Sequence, residues 1–195
     1  MKKIFFLLFS FYLLNTTLLI AQKPATILMI TPSTNFYKKD IVVLKNYFQK
    51  HHNTVLIAST KLKPLKDKTG QIIRPDLLFD CVSPNDFDIL VIIGGTGSEE
   101  YWTNHQVFKI IRDMKQQNKI ICAQGLSVLV LGKAGILKDK KITAIPSLKY
   151  DLKKFGCTYI EENIMEDGNI ITSKSSQNSL LFAKCIQEKF KENQK

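Results

Sequence analysis

The sequence predicts an α/β fold, a three-layer sandwich with a mainly parallel sheet and helices on both faces. Three observations carry this. Short β-branched runs alternate with stretches whose apolar residues recur at helical spacing, such as Ile41, Leu44, Tyr47 and Phe48, or Val107, Ile110, Ile111 and Met114, the pattern of strands joined by crossover helices. The most apolar run, Asp88-Ile-Leu-Val-Ile-Ile93, passes directly into Gly94-Gly95-Thr96-Gly97, as a buried strand ending at a loop does. Composition agrees: 45% of the 195 residues are hydrophobic and 23% charged, which suits one compact domain and excludes a disordered tail or a low-complexity fibre.

The elements follow in order. A buried strand is expected over 26–31, a helix carrying Ile41 to Phe48 and ending before His51-His52-Asn53, and a second strand over 54–58, together a βαβ unit. Residues 59–86 loosen into a loop rich in lysine (Lys61, Lys63, Lys66, Lys68), with a turn at Thr69-Gly70 and a short strand near Ile72-Ile73. The strand over 88–93 leads through the glycines to an amphipathic helix, then to a strand over 119–123 and an apolar helix from about Leu126 to Lys133, closed by Ala134-Gly135. Beyond it are expected a strand over 141–144, a short helix over 148–155, strands over 158–161 and 169–172 joined through Asp167-Gly168, and a C-terminal helix over 177–191.

Residues 1–21 stand apart. Met1-Lys2-Lys3 precedes an apolar run over 4–20 and then Ala21, the order of a secretory signal peptide. The domain proper is then 22–195. The alternative is an uncleaved membrane anchor formed by residues 4–20, a run barely long enough to span a bilayer. Net charge is +11, and cleavage of the leader would remove Lys2 and Lys3 and leave +9. Export would place Cys81, Cys122, Cys157 and Cys185 where disulfides form. Their spacing fits no zinc pattern, and the apolar settings of Cys122 and Cys185 suit buried free thiols. No metal and no cofactor is expected.

Ligands of open α/β sheets bind at the carboxyl ends of strands, so two junctions stand out: Gly94-Gly95-Thr96-Gly97 and Ala123-Gln124-Gly125-Leu126. The first lacks the Lys-Ser/Thr of a P-loop and the spacing of a dinucleotide fingerprint. The Lys61–Lys68 segment has no interleaved aromatics, which argues against a nucleic-acid partner. An anionic surface suits an exported basic protein better.

Four ordered blocks, Asp88–Gly95, Asn118–Gly125, Ala134–Thr143 and Glu166–Ser173, resemble the ThiJ/PfpI superfamily over nearly all of the mature chain. The resemblance implies the flavodoxin-like, class-I glutamine amidotransferase-like fold and a homodimer. It also implies a catalytic Cys at a turn between strand and helix, where helix amides lower the thiol pKa. By family spacing that position falls thirty residues after Gly95, on Gly125. The supporting carboxylate maps onto Tyr37, and the two alternative His positions map onto Leu126 and onto Ile145 before Pro146. No family catalytic residue is therefore expected here. An elbow residue is usually held at positive φ, a conformation that glycine takes without strain. The N–H groups of Gly95 and Leu126 are expected to survive as an anion-binding pair, with Thr96, Gly125, Ser127 and Tyr37 around a small anionic ligand.

Rival readings accompany each residue. Cys122 is either a displaced nucleophile or core packing, and Ser127 either a ligand donor or a helix cap. Asp40, Glu99 and Glu100 complement helix dipoles. Tyr37 and Trp102 are candidates for the pocket mouth. His51-His52 reads as a polar helix end, and His105 has no partner in sequence. Three functions remain open: a non-enzymatic binding protein, a deglycase-, glyoxalase- or peptidase-like enzyme using substituted residues, and a structural role through a dimer.

Overall fold

The computed structural model describes residues 23–195, so both the leader over 1–21 and its reading as an anchor lie outside the described residues. The chain runs β1 (Thr26–Ile30), α1 (Lys38–Lys50), β2 (Thr54–Ser59), β3 (Leu65–Lys66), β4 (Ile72–Ile73), β5 (Leu77–Leu78), β6 (Ile89–Ile92), α2 (His105–Gln116), β7 (Ile120–Gln124), α3 (Val128–Lys133), β8 (Lys141–Ile142), α4 (Lys149–Lys153), β9 (Thr158–Tyr159), β10 (Ile164–Asp167), β11 (Ile170–Ser173) and α5 (Ser179–Glu192). The expected architecture is present. Seven strands lie in the order β10-β11-β7-β6-β1-β2-β5, all neighbours parallel except β10 against β11.

The period of two along each strand decides which layer a side chain enters. Leu28, Ile30, Leu90, Ile92, Ile121 and Ala123 meet Val107, Ile110, Ile111 and Met114 of α2 on one face. Ile27, Met29, Ile89, Val91, Ile120 and Cys122 meet Ile41, Leu44 and Phe48 of α1, with Phe182, Ala183 and Ile186 of α5, on the other. Each fully buried aliphatic side chain stabilises the fold by about 1.5–3 kcal/mol. Asn53 joins three elements: Ala25 N–H donates to its Oδ1 at 2.8 Å and its Nδ2 donates to Gln187 Oε1 at 2.5 Å.

The structure departs from the sequence expectation in three places. Leu77–Leu78, inside the segment read as an excursion, adds a strand beside β2 through Ala58 and Ser59. Two residues are too short to show a period. The strands expected over 158–161 and 169–172 do not pair. Thr158–Tyr159 instead pairs in parallel with Lys141–Ile142, and the hairpin partner of β11 is Ile164–Asp167. Gly168 turns this hairpin at φ +63°. Asp167 then ties it to β8 by accepting Lys140 Nζ at 2.8 Å and Lys141 N–H at 2.9 Å. The helix expected from Leu126 starts as a 3-10 turn over Gly125–Ser127 before α3.

Candidate functional site

β6 and β7 end side by side, Ile92 opposite Ala123, so both glycine-containing junctions open onto one edge of the sheet. Between them lies a pocket of about 200 Å³. Gly94, Gly95 and Thr96 form one wall, Gln124, Gly125 and Leu126 another, and Tyr37 and Asp40 approach from the start of α1. Ile145 and Lys174 to Ser176 complete it. Six of the seven positions singled out from the sequence, Tyr37, Gly95, Thr96, Gly125, Leu126 and Ile145, thus come together.

The glycine turn is held by packing against neighbouring backbone. Gly95 has φ +114°, and a Cβ there would lie 2.6 Å from the Asn35 carbonyl oxygen, which excludes any other residue. Gly97 N–H donates to that same oxygen at 3.2 Å, and Ser98 Oγ donates to the Gly95 carbonyl at 2.6 Å.

Gly125 is different. Its φ is +62°, yet a Cβ there would meet nothing nearer than the Lys174 carbonyl at 4.0 Å. The elbow conformation is present, there is room for a side chain, and none projects. Leu126 sits in the first turn of the 3-10 segment and Gly95 just before the segment Thr96–Tyr101, positions whose N–H groups have no carbonyl behind them in the helix.

Ser127, the seventh, does not reach the pocket. It is fully buried, its Oγ donates to Ile92 and Gln124 carbonyls at 2.8 and 2.9 Å, and it accepts Gln124 N–H at 3.0 Å. The hydroxyl clamps the ends of β6 and β7 together, which corrects its expected role as a ligand donor. Trp102 packs against the α2-side core and is not part of the pocket wall. Tyr37 stands 39% exposed at the mouth, with Lys68 Nζ 5.8 Å from its ring centre.

Two residues carry more than the sequence suggested. Asp40, read as a helix-dipole partner, is 6% exposed and lines the pocket. Burial pushes its carboxyl up to about 6, against the opposing influence of the Lys39 charge and the Ser176 hydroxyl. Its signal lay in spacing: Asp40 follows Tyr37 by three, so both share one helix face. Gln124 is 1% exposed, and its Nε2 donates to Ser179 Oγ at 3.2 Å. Nothing in the sequence set it apart from the elbow glycine beside it. Glu100 accepts Ser33 N–H and Oγ at 2.8 and 2.9 Å, which braces the loop after β1.

Thiols are absent from this pocket. Cys122 is fully buried, and burial raises its thiol well above the ordinary value. Burial, with Glu166 adding to it, pushes Cys185 up to about 11. All four cysteines are free. His51 and His52 line a separate basic cleft with Lys23, Lys50 and Lys191, at the opposite edge of the sheet where β1 and β2 begin.

The family model described as DJ-1/PfpI matches residues 25–189. The chain belongs to the DJ-1/PfpI family. Relatives of this DJ-1/PfpI protein include the uncharacterized protein MJ0967 of Methanocaldococcus jannaschii, 31% identical over 175 residues, or 88% of this chain and 85% of that one. A deglycase of Pyrococcus horikoshii is 28% identical over 142 residues, covering 73% of this chain and 86% of the relative. Among solved structures, a ThiJ/PfpI domain protein from Brachyspira murdochii superposes with TM-score 0.83 at 23% identity, covering 88% of this chain and 99% of the other. Drosophila melanogaster DJ-1beta does so with TM-score 0.78 at 24% identity, covering 87% and 95%. These likenesses place the DJ-1/PfpI sandwich under the pocket just described.

Proposed function

We propose that this DJ-1/PfpI protein is an exported binding protein that holds a small carboxylate in the pocket beneath Gly125 and does not use cysteine chemistry. One observation carries the reading: the elbow turn keeps its conformation, at φ +62°, while the residue there has no side chain. Thioester or hemithioacetal formation needs a nucleophile at that point. The N–H groups at Gly95 and Leu126 supply hydrogen bonds to an oxyanion without one, and the surplus of positive charge favours its approach. Export rests on the order of the first 21 residues, and assembly as a homodimer on the family resemblance.

Titration of the purified protein with acetate, propionate and pyruvate, followed by backbone amide NMR, tests this. Saturable shifts at Gly95 and Leu126 are expected, and shifts spread evenly over the lysines would end the proposal. Fractionation of cells producing the full chain tests export.

A second reading has Asp40 in its favour, because a buried carboxyl near 6 suits proton transfer at neutral pH. In that reading the protein acts as its deglycase relatives are named, with substituted residues. Methylglyoxal turnover by the unmodified protein that disappears in Asp40→Asn would favour it, whereas turnover only after Gly125→Cys favours the first.

A further inference from the structure

The cleft beside the starts of β1 and β2 has only basic ionisable residues in its lining: Lys23, Lys50, His51, His52 and Lys191. None of the three lysines forms a salt bridge among the described residues. Lys50 and Lys191 stand in the last turns of α1 and α5, where a cation complements the carbonyl end of a helix. Lys23 belongs to no helix, so helix ends alone do not account for the cluster. Asn53 and Gln187, 5% and 6% exposed, also line the cleft. Asn53 Nδ2 donates to Gln187 Oε1, so the group that Gln187 still has to offer is its Nε2, a donor. Positive charge and donors together are the chemistry that receives an anion.

The kind of anion follows from where the chain enters. The apolar run of the leader ends at residue 20, and Lys23 already lines the cleft. Three residues span at most about 11 Å. A run kept in a bilayer would hold the cleft at the lipid headgroups, and cleavage after Ala21 would leave the new ammonium one residue from Lys23. The cleft encloses about 320 Å³, at the low end of the ~300–1,000 Å³ of small-molecule sites and enough for one glycerophosphate group. We infer that this edge of the sheet docks on an anionic phospholipid bilayer, with a headgroup phosphate among Lys23, Lys50 and Lys191. β1, β2, β6 and β7 are parallel, so their starts and their ends lie at opposite edges, about 16 Å apart over the five residues of β1. The docked molecule therefore turns the pocket beneath Gly125 away from the membrane and leaves it open to solution.

The test is flotation of residues 22–195, which contain every described strand and helix, with vesicles of phosphatidylcholine alone or mixed equally with phosphatidylglycerol. Binding to the charged vesicles is expected to be at least about tenfold tighter. Lys50→Gln with Lys191→Gln is expected to weaken it about 25-fold, about fivefold for each lysine at a charged surface. Lys61→Gln with Lys63→Gln removes the same charge from exposed residues beyond the carboxyl end of β2 and is expected to cost less than about threefold, being more than a Debye length away. Circular dichroism confirms the fold of each variant. Equal losses from the two pairs would reduce the effect to net charge and overturn the site. Equal binding to neutral and charged vesicles would overturn the anionic surface. Saturable calorimetric binding of glycerol 3-phosphate without a preference for charged vesicles would make the cleft a site for a free anion and overturn membrane docking. Hydrogen exchange on the vesicles reads the orientation: protection is expected over 50–53 and 187–191, and protection over 94–97 and 124–126 instead would overturn it.

Discussion

The Asp67 carboxylate accepts the backbone N–H of Lys38 at 3.0 Å, so a residue in the lysine-rich excursion caps a helix that began 29 residues earlier. Tyr37, the residue at the helix's own N-cap, provides no side-chain cap. The same carboxylate accepts Thr69 N–H and Oγ1 and Gln71 N–H at 2.7 to 2.9 Å. Burial by itself would raise the carboxyl, but the donors from Lys38, Thr69 and Gln71 outweigh it and hold it at about 2. A group depressed in the fold stabilises above its unfolded value and loses that contribution as pH falls through the folded one. Asp67→Ala is therefore expected to lower the melting temperature by a constant amount above pH 4, and the gap is expected to close as pH falls toward about 2. Thermal unfolding between pH 2 and 7 measures it, and a gap that persists at pH 2 contradicts the assignment.

Asp40 has the opposite sign. Its carboxyl rises from 3.8 to about 6 in the fold, so the fold is relatively favoured below 3.8 and loses stability as pH climbs through 6. Asp40→Asn is expected to match the parent at pH 3.5 and to exceed it by up to ~3 kcal/mol at pH 7.5. Denaturant unfolding at the two pH values gives the comparison.

Two glycine substitutions should differ in size. At Gly125 a side chain has space and only the left-handed backbone resists, so Gly125→Ala is expected to cost about 1–2 kcal/mol. At Gly95 the added carbon would press on the Asn35 carbonyl from 2.6 Å. Gly95→Ala is therefore expected to cost at least ~3 kcal/mol, strain and displaced backbone together. Equal losses on unfolding would contradict the geometry.

Thiol labelling should be ordered by burial. Cys81 is exposed and is expected to react first with a disulfide reagent at pH 8. Cys185, pushed up to about 11, should lag, and buried Cys122 and Cys157 should react only on unfolding. Rapid labelling of Cys122 in the folded protein, read by mass spectrometry, would reopen its reading as a displaced nucleophile.

The sheet was legible because its central strands are long apolar runs, and the elbow because a glycine-rich turn sits at a fixed spacing ahead of it. The edges were not. Leu77–Leu78 and Thr158–Tyr159 are strands by virtue of the backbone they meet, and that neighbour is invisible in local sequence. The pocket was half legible. Backbone positions such as Gly95 and Gly125 announce themselves, whereas Asp40 and Gln124 matter through burial, which exists only once the chain is folded. Ser127 shows the converse: a hydroxyl beside the elbow that the packing of two strand ends consumed.

The outer margins of the seven-stranded sheet have a further consequence. One is a strand of only two residues, Leu77–Leu78. The other, Ile164–Asp167, carries Glu166 paired with Lys189 at 2.8 Å and Asp167 with Lys140 at 2.8 Å. An unpaired backbone edge invites another chain to continue the ladder, and shortness and charge both discourage it. Neither margin offers a flat apolar template, so copies of the molecule crowded together are kept from growing into a shared, continuous sheet.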